Sequence, residues 1–243
     1  MYAYKLCLLY LRMKQAVVLC SGGIDSAVTA YYVKRKLKYG KIVILFFNYG
    51  QKSLLNERKF SKLCASSLKA EFKEIKLLEL ARLSTSLINI KGKVKRLNRN
   101  DLKNTARESK KWYVPFRNTI FLSYALSLAE CIYLKDKIKS DIFVGFKCEG
   151  QDHFPDTTKS YLKEMNKLTK TASYGFKIIA PLIDKDKEDI ILLGSKLGVD
   201  FRKTFSCYLG KRQHCGYCLA CKLRQEGFYW SGLKDPTYYI SKD

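Results

Sequence analysis

The stretch AVVLCSGGIDSAV, Ala16 to Val28, constrains this chain more than any other. An apolar run breaks off at Ser21-Gly22-Gly23, a carboxylate follows at Asp25, and apolar residues then resume at helical spacing. Glycines admit backbone conformations closed to other residues and let a phosphate come close. A helix starting near Ile24 offers an anion its unpaired N–H groups and the positive end of its dipole. Ser21 and Ser26 add hydroxyl donors. The loop fits neither GxxxxGK(S/T) nor GxGxxG, and it lacks the lysine of the former. The other reading of the same letters is a plain helix cap made by Ser and Asp in a tight turn.

The rest of the chain alternates strand and helix. Strands are predicted over Gln15–Cys20, Lys41–Asn48, Glu71–Leu77, Asp141–Phe146 and Lys177–Leu182, and helices over Ile24–Leu37, Leu54–Leu68, Thr119–Leu134, 157–169 and 186–197. Continuous apolar strands separated by helices imply an α/β fold, a doubly wound parallel sheet covered on both faces. Ligands in such sheets bind beyond the carboxyl ends of the strands. Here those ends are Ser21, Asn48 and Phe146, so the glycine loop lies where a ligand is expected.

Of nine cysteines, Cys207, Cys215, Cys218 and Cys221 crowd together near the C-terminus as C-x7-C-x2-C-x2-C. Four closely spaced thiolates can wrap one tetrahedral Zn²⁺, and a site filled by four cysteines is closed and structural. An Fe–S cluster is the competing reading, and His214 is a possible substitute ligand. No secretory signal precedes the cysteines, which favours metal binding in a reducing cytoplasm over disulfides. No apolar run is long enough to cross a membrane. Three parts are expected: an N-terminal extension over 1–12, a nucleotide domain over 13–200, and a zinc segment over 201–243. Within the second, the polar stretch 79–111 is too long for an ordinary connection and reads as a mobile excursion over the active-site end, a lid or a solvated insertion.

The net charge is +24, with 35 of the 46 basic residues lysine. A solvated, lysine-biased surface accounts for that, and so do anionic substrates or contact with nucleic acid.

The SGGIDS loop after a buried strand resembles the PP-loop of ATP pyrophosphatases, which cleave ATP between the α- and β-phosphates. Further segments resemble the 7-cyano-7-deazaguanine (preQ0) synthases within that group: FNYGQKSLLNE, VPFRNTIFLS, FPDTTKSYLKEMN, and the tail from TFSCY through CGYCLACKLRQEGF to LKDPTYY. The resemblance implies an ATP-dependent ligase that turns 7-carboxy-7-deazaguanine and ammonia into the nitrile, with ATP, Mg²⁺ and Zn²⁺ as cofactors and a homodimer as the assembly. It implies that Ser21, Gly22, Gly23, Asp25 and Ser26 cradle the leaving pyrophosphate and its Mg²⁺, with Tyr49, Gly50 and Gln51 near the nucleotide. Arg117 and Asn118 fall in the active site, Asp156 in base recognition, and Asp152, Lys147 and Glu149 at the fourth strand end. The bland roles of these residues are a helix start for Arg117, a cap for Gln51 and an N-cap for Asp156.

Three departures stand out. Phe116 replaces a glycine of the family segment and is expected to put bulk beside Arg117. Asp156-Thr157-Thr158 stands where the family has Asp-Cys-Arg, and Ser53 where a histidine is common. They leave open a relative that joins the same acid to another amine, such as a protein N-terminus, in an antiviral system. A PP-loop enzyme modifying tRNA and a non-catalytic zinc-stabilised module are the remaining alternatives.

Overall fold

The computed structural model describes residues 14–147 and 154–240. The expected extension over 1–12, and the candidates Glu149 and Asp152, lie outside those residues. Five parallel strands form one sheet: β1 (Gln15–Leu19), β2 (Lys41–Asn48), β3 (Glu71–Lys76), β4 (Ser140–Phe143) and β5 (Ile178–Ile179), in the order β3-β2-β1-β4-β5. The order reverses at β1, which pairs with β2 on one side and β4 on the other, so the crevice for a ligand opens beyond the end of β1. β4 stops at Phe143 rather than Phe146, and β5 keeps two of the six residues expected of it.

Eight α-helices occur among the described residues: α1 (Ile24–Tyr31), α2 (Leu54–Leu68), α3 (Leu78–Leu83), α4 (Ala106–Lys110), α5 (Arg117–Asp136), α6 (Lys159–Ala172), α7 (Lys187–Lys196) and α8 (Leu219–Ser231). The helix expected over Ile24–Leu37 is α1 followed by a π-helical turn, Tyr32–Lys36. Apolar spacing runs through this junction, so periodicity alone does not reveal the change of winding. None of these helices is long and apolar enough to cross a membrane.

Strand alternation sends Ala16 and Val18 to one face and Val17 to the other, all fully buried. The first face packs against α1, α2 and α7, through Val28, Cys64 and Ile190. The second packs against α5 and α6, through Leu122, Ala125 and Met165. Leu80, Ile88 and Leu97 of the stretch 79–111 are buried in this second core, so that segment is anchored at several points along its length. α8 lies along α7 and buries Phe228 in the first core, so the C-terminal part shares the main domain's core.

Candidate active site

The loop after β1 is built for close approach. Gly22 has a φ of +76°, and a Cβ there would lie 2.8 Å from the Phe60 Cβ and the Ser61 backbone nitrogen. At Gly145, just past β4, a Cβ would lie 3.0 Å from the Asp25 carbonyl carbon and the Ser26 nitrogen. A side chain at Gly22 would have to move α2, and one at Gly145 the first turn of α1. The loop is held from three directions: Ser61 Oγ donates to the Cys20 carbonyl (2.9 Å), the Phe205 N–H to the Gly22 carbonyl (2.9 Å), and Ser26 Oγ to the Gly23 carbonyl (3.2 Å).

The N-cap of α1 is Gly23, in extended conformation, with no side-chain cap. The helix-cap reading of Ser21 and Asp25 is therefore not what the loop does. Its serines bond within the loop, the Ser21 N–H donating to Ser26 Oγ at 3.2 Å, and the end of α1 keeps N–H groups for an anion. Lys187, at the start of α7, brings its Nζ within 2.7 Å of both Asp25 carboxylate oxygens. Lys147 lies beyond β4, and burial together with the neighbouring Lys187 charge lowers its ammonium to about 7.

These groups line a cavity of about 370 Å³. Ser21, Gly23, Asp25, Ser26, Lys147 and Lys187 bound it, as do Tyr49, Glu57, Arg117, Asn118 and Tyr208. Arg117 opens α5, with its Nη1 donating to the Tyr49 hydroxyl at 3.4 Å and its guanidinium over the Tyr49 ring. Glu57 accepts from Gln51 Nε2 at 2.9 Å and from the Ser53 hydroxyl. Burial raises the Glu57 carboxyl above the usual carboxylate range.

Four of the residues singled out from sequence stand behind the wall, among them Gly50, whose Cβ position is closed by Ala81. Gly22 faces Phe60. Gln51 spends its side chain on the end of β2, accepting from the Tyr49 N–H at 2.9 Å and donating to the Phe47 carbonyl at 2.9 Å. Asp156 accepts from the Asn118 N–H at 3.3 Å through Oδ2, while its buried Oδ1 has no partner. Burial raises the Asp156 carboxyl, with Arg117 pulling the other way. Lys187 carried no motif signal, and Tyr208 was quoted only as the last letter of TFSCY, with no role in the site read from it. Glu57 is the acidic residue at the end of FNYGQKSLLNE, and its place in the wall was readable only as part of that segment.

The four cysteines form one buried group whose sulfurs all lie within 4.8 Å of one another, Cys215 and Cys221 at 3.8 Å. Metal–sulfur bonds of about 2.3 Å in a tetrahedron put sulfurs roughly 3.8 Å apart, so the group fits a tetrahedral ion. The Cys218 N–H points at the Cys215 sulfur at 3.2 Å, as expected where a thiolate needs a donor. His214 is spent elsewhere: its Nε2 accepts from the Ser206 N–H at 3.0 Å. The cysteine group carries Phe205 and, with Arg224, holds the wall segment in place. Arg224 is buried and donates to the Thr204 hydroxyl (2.8 Å) and the Phe201 carbonyl (3.0 Å).

The model of the family "Queuosine biosynthesis protein QueC" matches residues 15–232. The chain belongs to the QueC family. Curated relatives of this QueC chain carry the name 7-cyano-7-deazaguanine synthase. The protein of Methanosphaera stadtmanae is 36% identical over 230 residues, covering 93% of this chain and 98% of the relative. That of Rickettsia bellii is 37% identical over 232 residues, covering 94% and 99%. That of Methanothermobacter thermautotrophicus is 31% identical over 227 residues, covering 93% and 99%.

The departures of this QueC chain have local explanations. Phe116 is 69% exposed, so its bulk does not crowd Arg117. What it contributes is a φ of +57° at the N-cap of α5, a conformation that suits the family's glycine. Thr158 caps α6, accepting from the Tyr161 N–H at 3.1 Å, and Thr157 faces the cavity. Ser53 holds Glu57.

Proposed function

We propose that this chain uses ATP to convert 7-carboxy-7-deazaguanine and ammonia into 7-cyano-7-deazaguanine, a step in the making of 7-deazapurines such as queuosine. The observation that carries this reading is the shared cavity. An uncapped helix end with Lys187 and Lys147 suits a polyphosphate, and it opens into the same space as Arg117, Asn118 and Tyr49. The QueC membership supplies the acid.

The chemistry asks for such a wall. A carboxylate is a poor electrophile because its leaving group would be an oxide. Attack of its oxygen on the ATP α-phosphorus expels pyrophosphate and leaves an acyl adenylate. Ammonia then displaces AMP to give the amide. A second adenylation, on the amide oxygen, followed by loss of AMP and protons, gives the nitrile.

The α1 N–H groups, Ser21 and Ser26 hold the pyrophosphate, and Lys187 offsets the Asp25 charge facing it. Arg117 binds the α-phosphate or the acid carboxylate. Asp156 stands behind the wall beside Asn118, so its buried, unpaired Oδ1 would accept from ring or amino N–H groups of the deazaguanine once the wall at Asn118 and Thr157 shifts on binding. Asp25 has both oxygens on Lys187, so Mg²⁺, which keeps much of its water, would come in on the phosphates and lend them countercharge. Zn²⁺ in the cysteine group would be structural, since four sulfurs leave it no open position.

The test is mass spectrometry of the products after incubation with Mg²⁺-ATP, 7-carboxy-7-deazaguanine and ammonium, with AMP assayed in parallel. Nitrile with AMP release is the expected result. An amide that never proceeds to nitrile, or no turnover of the acid, overturns the proposal.

A further inference from the structure

We propose that the surface made by residues 91–103 and the exposed end of α8 binds single-stranded nucleic acid, at a place separate from the cavity. The charge of this chain is not evenly spread. Residues 91–111 hold nine of the cations and only two acids, Asp101 and Glu108. Both acids are engaged internally. Asp101 binds Lys95 at 2.6 Å and accepts from the Asn98 N–H at 2.9 Å, and Glu108 binds Lys111 at 2.6 Å and the Trp112 indole at 3.3 Å. Lys91, Lys93 and Lys103 are exposed and have no acidic partner among the described residues.

This basic strip is fixed in place. Leu97 is buried, and its N–H donates to the Tyr217 carbonyl at 3.0 Å, which ties the strip to the cysteine segment. Arg96 stacks over the Tyr217 ring at 4.7 Å. Arg99 reaches α8, 3.0 Å from Glu226 and 4.2 Å over the Tyr229 ring. Glu226 also accepts from the Trp230 indole N–H at 3.1 Å. Arg99 thus joins this basic segment to two aromatic rings that remain more than half in water, Tyr229 at 62% and Trp230 at 64% exposed, and it lies 5.5 Å over the second as well.

The aromatic part selects the ligand class. Lysines alone would attract any polyanion, including an acidic protein. One indole and one phenol ring beside a cation-rich segment suit unpaired bases, which stack on their open faces while the phosphates meet the lysines. A duplex keeps its bases inside and cannot use the rings. None of Lys91, Lys93, Lys103, Arg99, Tyr229 and Trp230 lines the cavity, so the surface is not the nucleotide site extended.

Fluorescence anisotropy with labelled RNA and DNA oligonucleotides of about 20 nucleotides, over a salt series, tests this. Binding is expected to weaken with salt. Lys91→Ser/Lys93→Ser/Lys103→Ser is expected to reduce the slope of log affinity against log salt by about two, at roughly 0.7 per lost phosphate contact. Trp230→Ala is expected to weaken binding about ten-fold with the slope unchanged, and Trp230→Phe to restore most of it. Unchanged thermal melting separates these effects from misfolding. The proposal is overturned if neither oligonucleotide binds at about 50 mM salt. It is equally overturned if Trp230→Ala binds like the parent, or if duplex DNA or polyglutamate of matched charge competes as well as the single strand.

Discussion

Lys187 Nζ sits 2.7 Å from each oxygen of the Asp25 carboxylate, joining residues 162 positions apart in the chain. The pair places a cation where the negative charge of a pyrophosphate would gather, and it cancels the repulsion Asp25 would otherwise exert. Lys187→Met is expected to lower the rate of pyrophosphate release about 100-fold, the scale found when one preorganised donor is removed from developing charge. Because both groups are partly exposed, melting should move little. A variant with normal pyrophosphate release would remove Lys187 from the site.

Lys147 offers a proton-counting test. Its ammonium lies at about 7 through burial and the Lys187 charge, so at pH 8 the amine is mostly neutral. A bound polyphosphate favours the charged form. Binding of a non-hydrolysable Mg²⁺-ATP analogue at pH 8 should therefore take up close to one proton, and at pH 6 almost none. Calorimetry in buffers of different ionisation heat reads this directly, and Lys147→Met should abolish the uptake. The sign for stability follows from the same shift. A depressed lysine contributes fully above its unfolded value of about 10.4, and that contribution is lost as pH falls through 7. The melting temperature of Lys147→Met should thus rise relative to the parent as pH is lowered from about 10.4 to 7.

Phe116 holds a left-handed backbone with most of its ring in water. Phe116→Gly relieves the crowding of Cβ, worth about 1–2 kcal/mol, against a smaller entropic cost for the freer unfolded chain. The expected net gain is ~0.5–1 kcal/mol, a rise of about 1–3 °C in melting temperature for a chain of this size. A fall in melting temperature would show that the ring makes a contact worth more than the strain.

The cysteine group should hold one zinc per chain, with iron at trace level, by elemental analysis of the purified protein. Cys218→Ser should lose the metal and several kcal/mol of stability, since metal affinity in such a site is folding energy. It should weaken ATP binding too, because the Phe205 N–H that holds Gly22 is carried by the same segment.

The parts legible in the sequence were those with a local signature. The strand-glycine-helix junction, the boundaries of β2 and α2, and the cysteine spacing all follow from residues a few positions apart. Features made by distant pairs had no such trace. Nothing around Lys187 announces that α7 will deliver it to Asp25, and α8 bears no sign that it will pack along α7. Phe116 misled for a different reason: side-chain size is visible in a sequence, whereas the direction it takes is set by φ. Gln51 was read as a nucleotide contact because it follows Tyr49 in the segment. Its amide proves to be the piece that shapes the loop, with Glu57 and Tyr49 forming the wall.

The Phe205–Gly22 contact also orders events at the ribosome. The phosphate loop is among the first parts of the described chain to be synthesised, yet its clamp comes from residues made almost last, with Arg224 bracing that clamp from α8. A nascent chain that stalls short of Phe205 would have all five strands made and its phosphate loop unheld, and one that stalls short of Arg224 would have the clamp without its brace. Translation errors that truncate the tail would therefore yield inert protein rather than a partial enzyme that consumes ATP to no purpose.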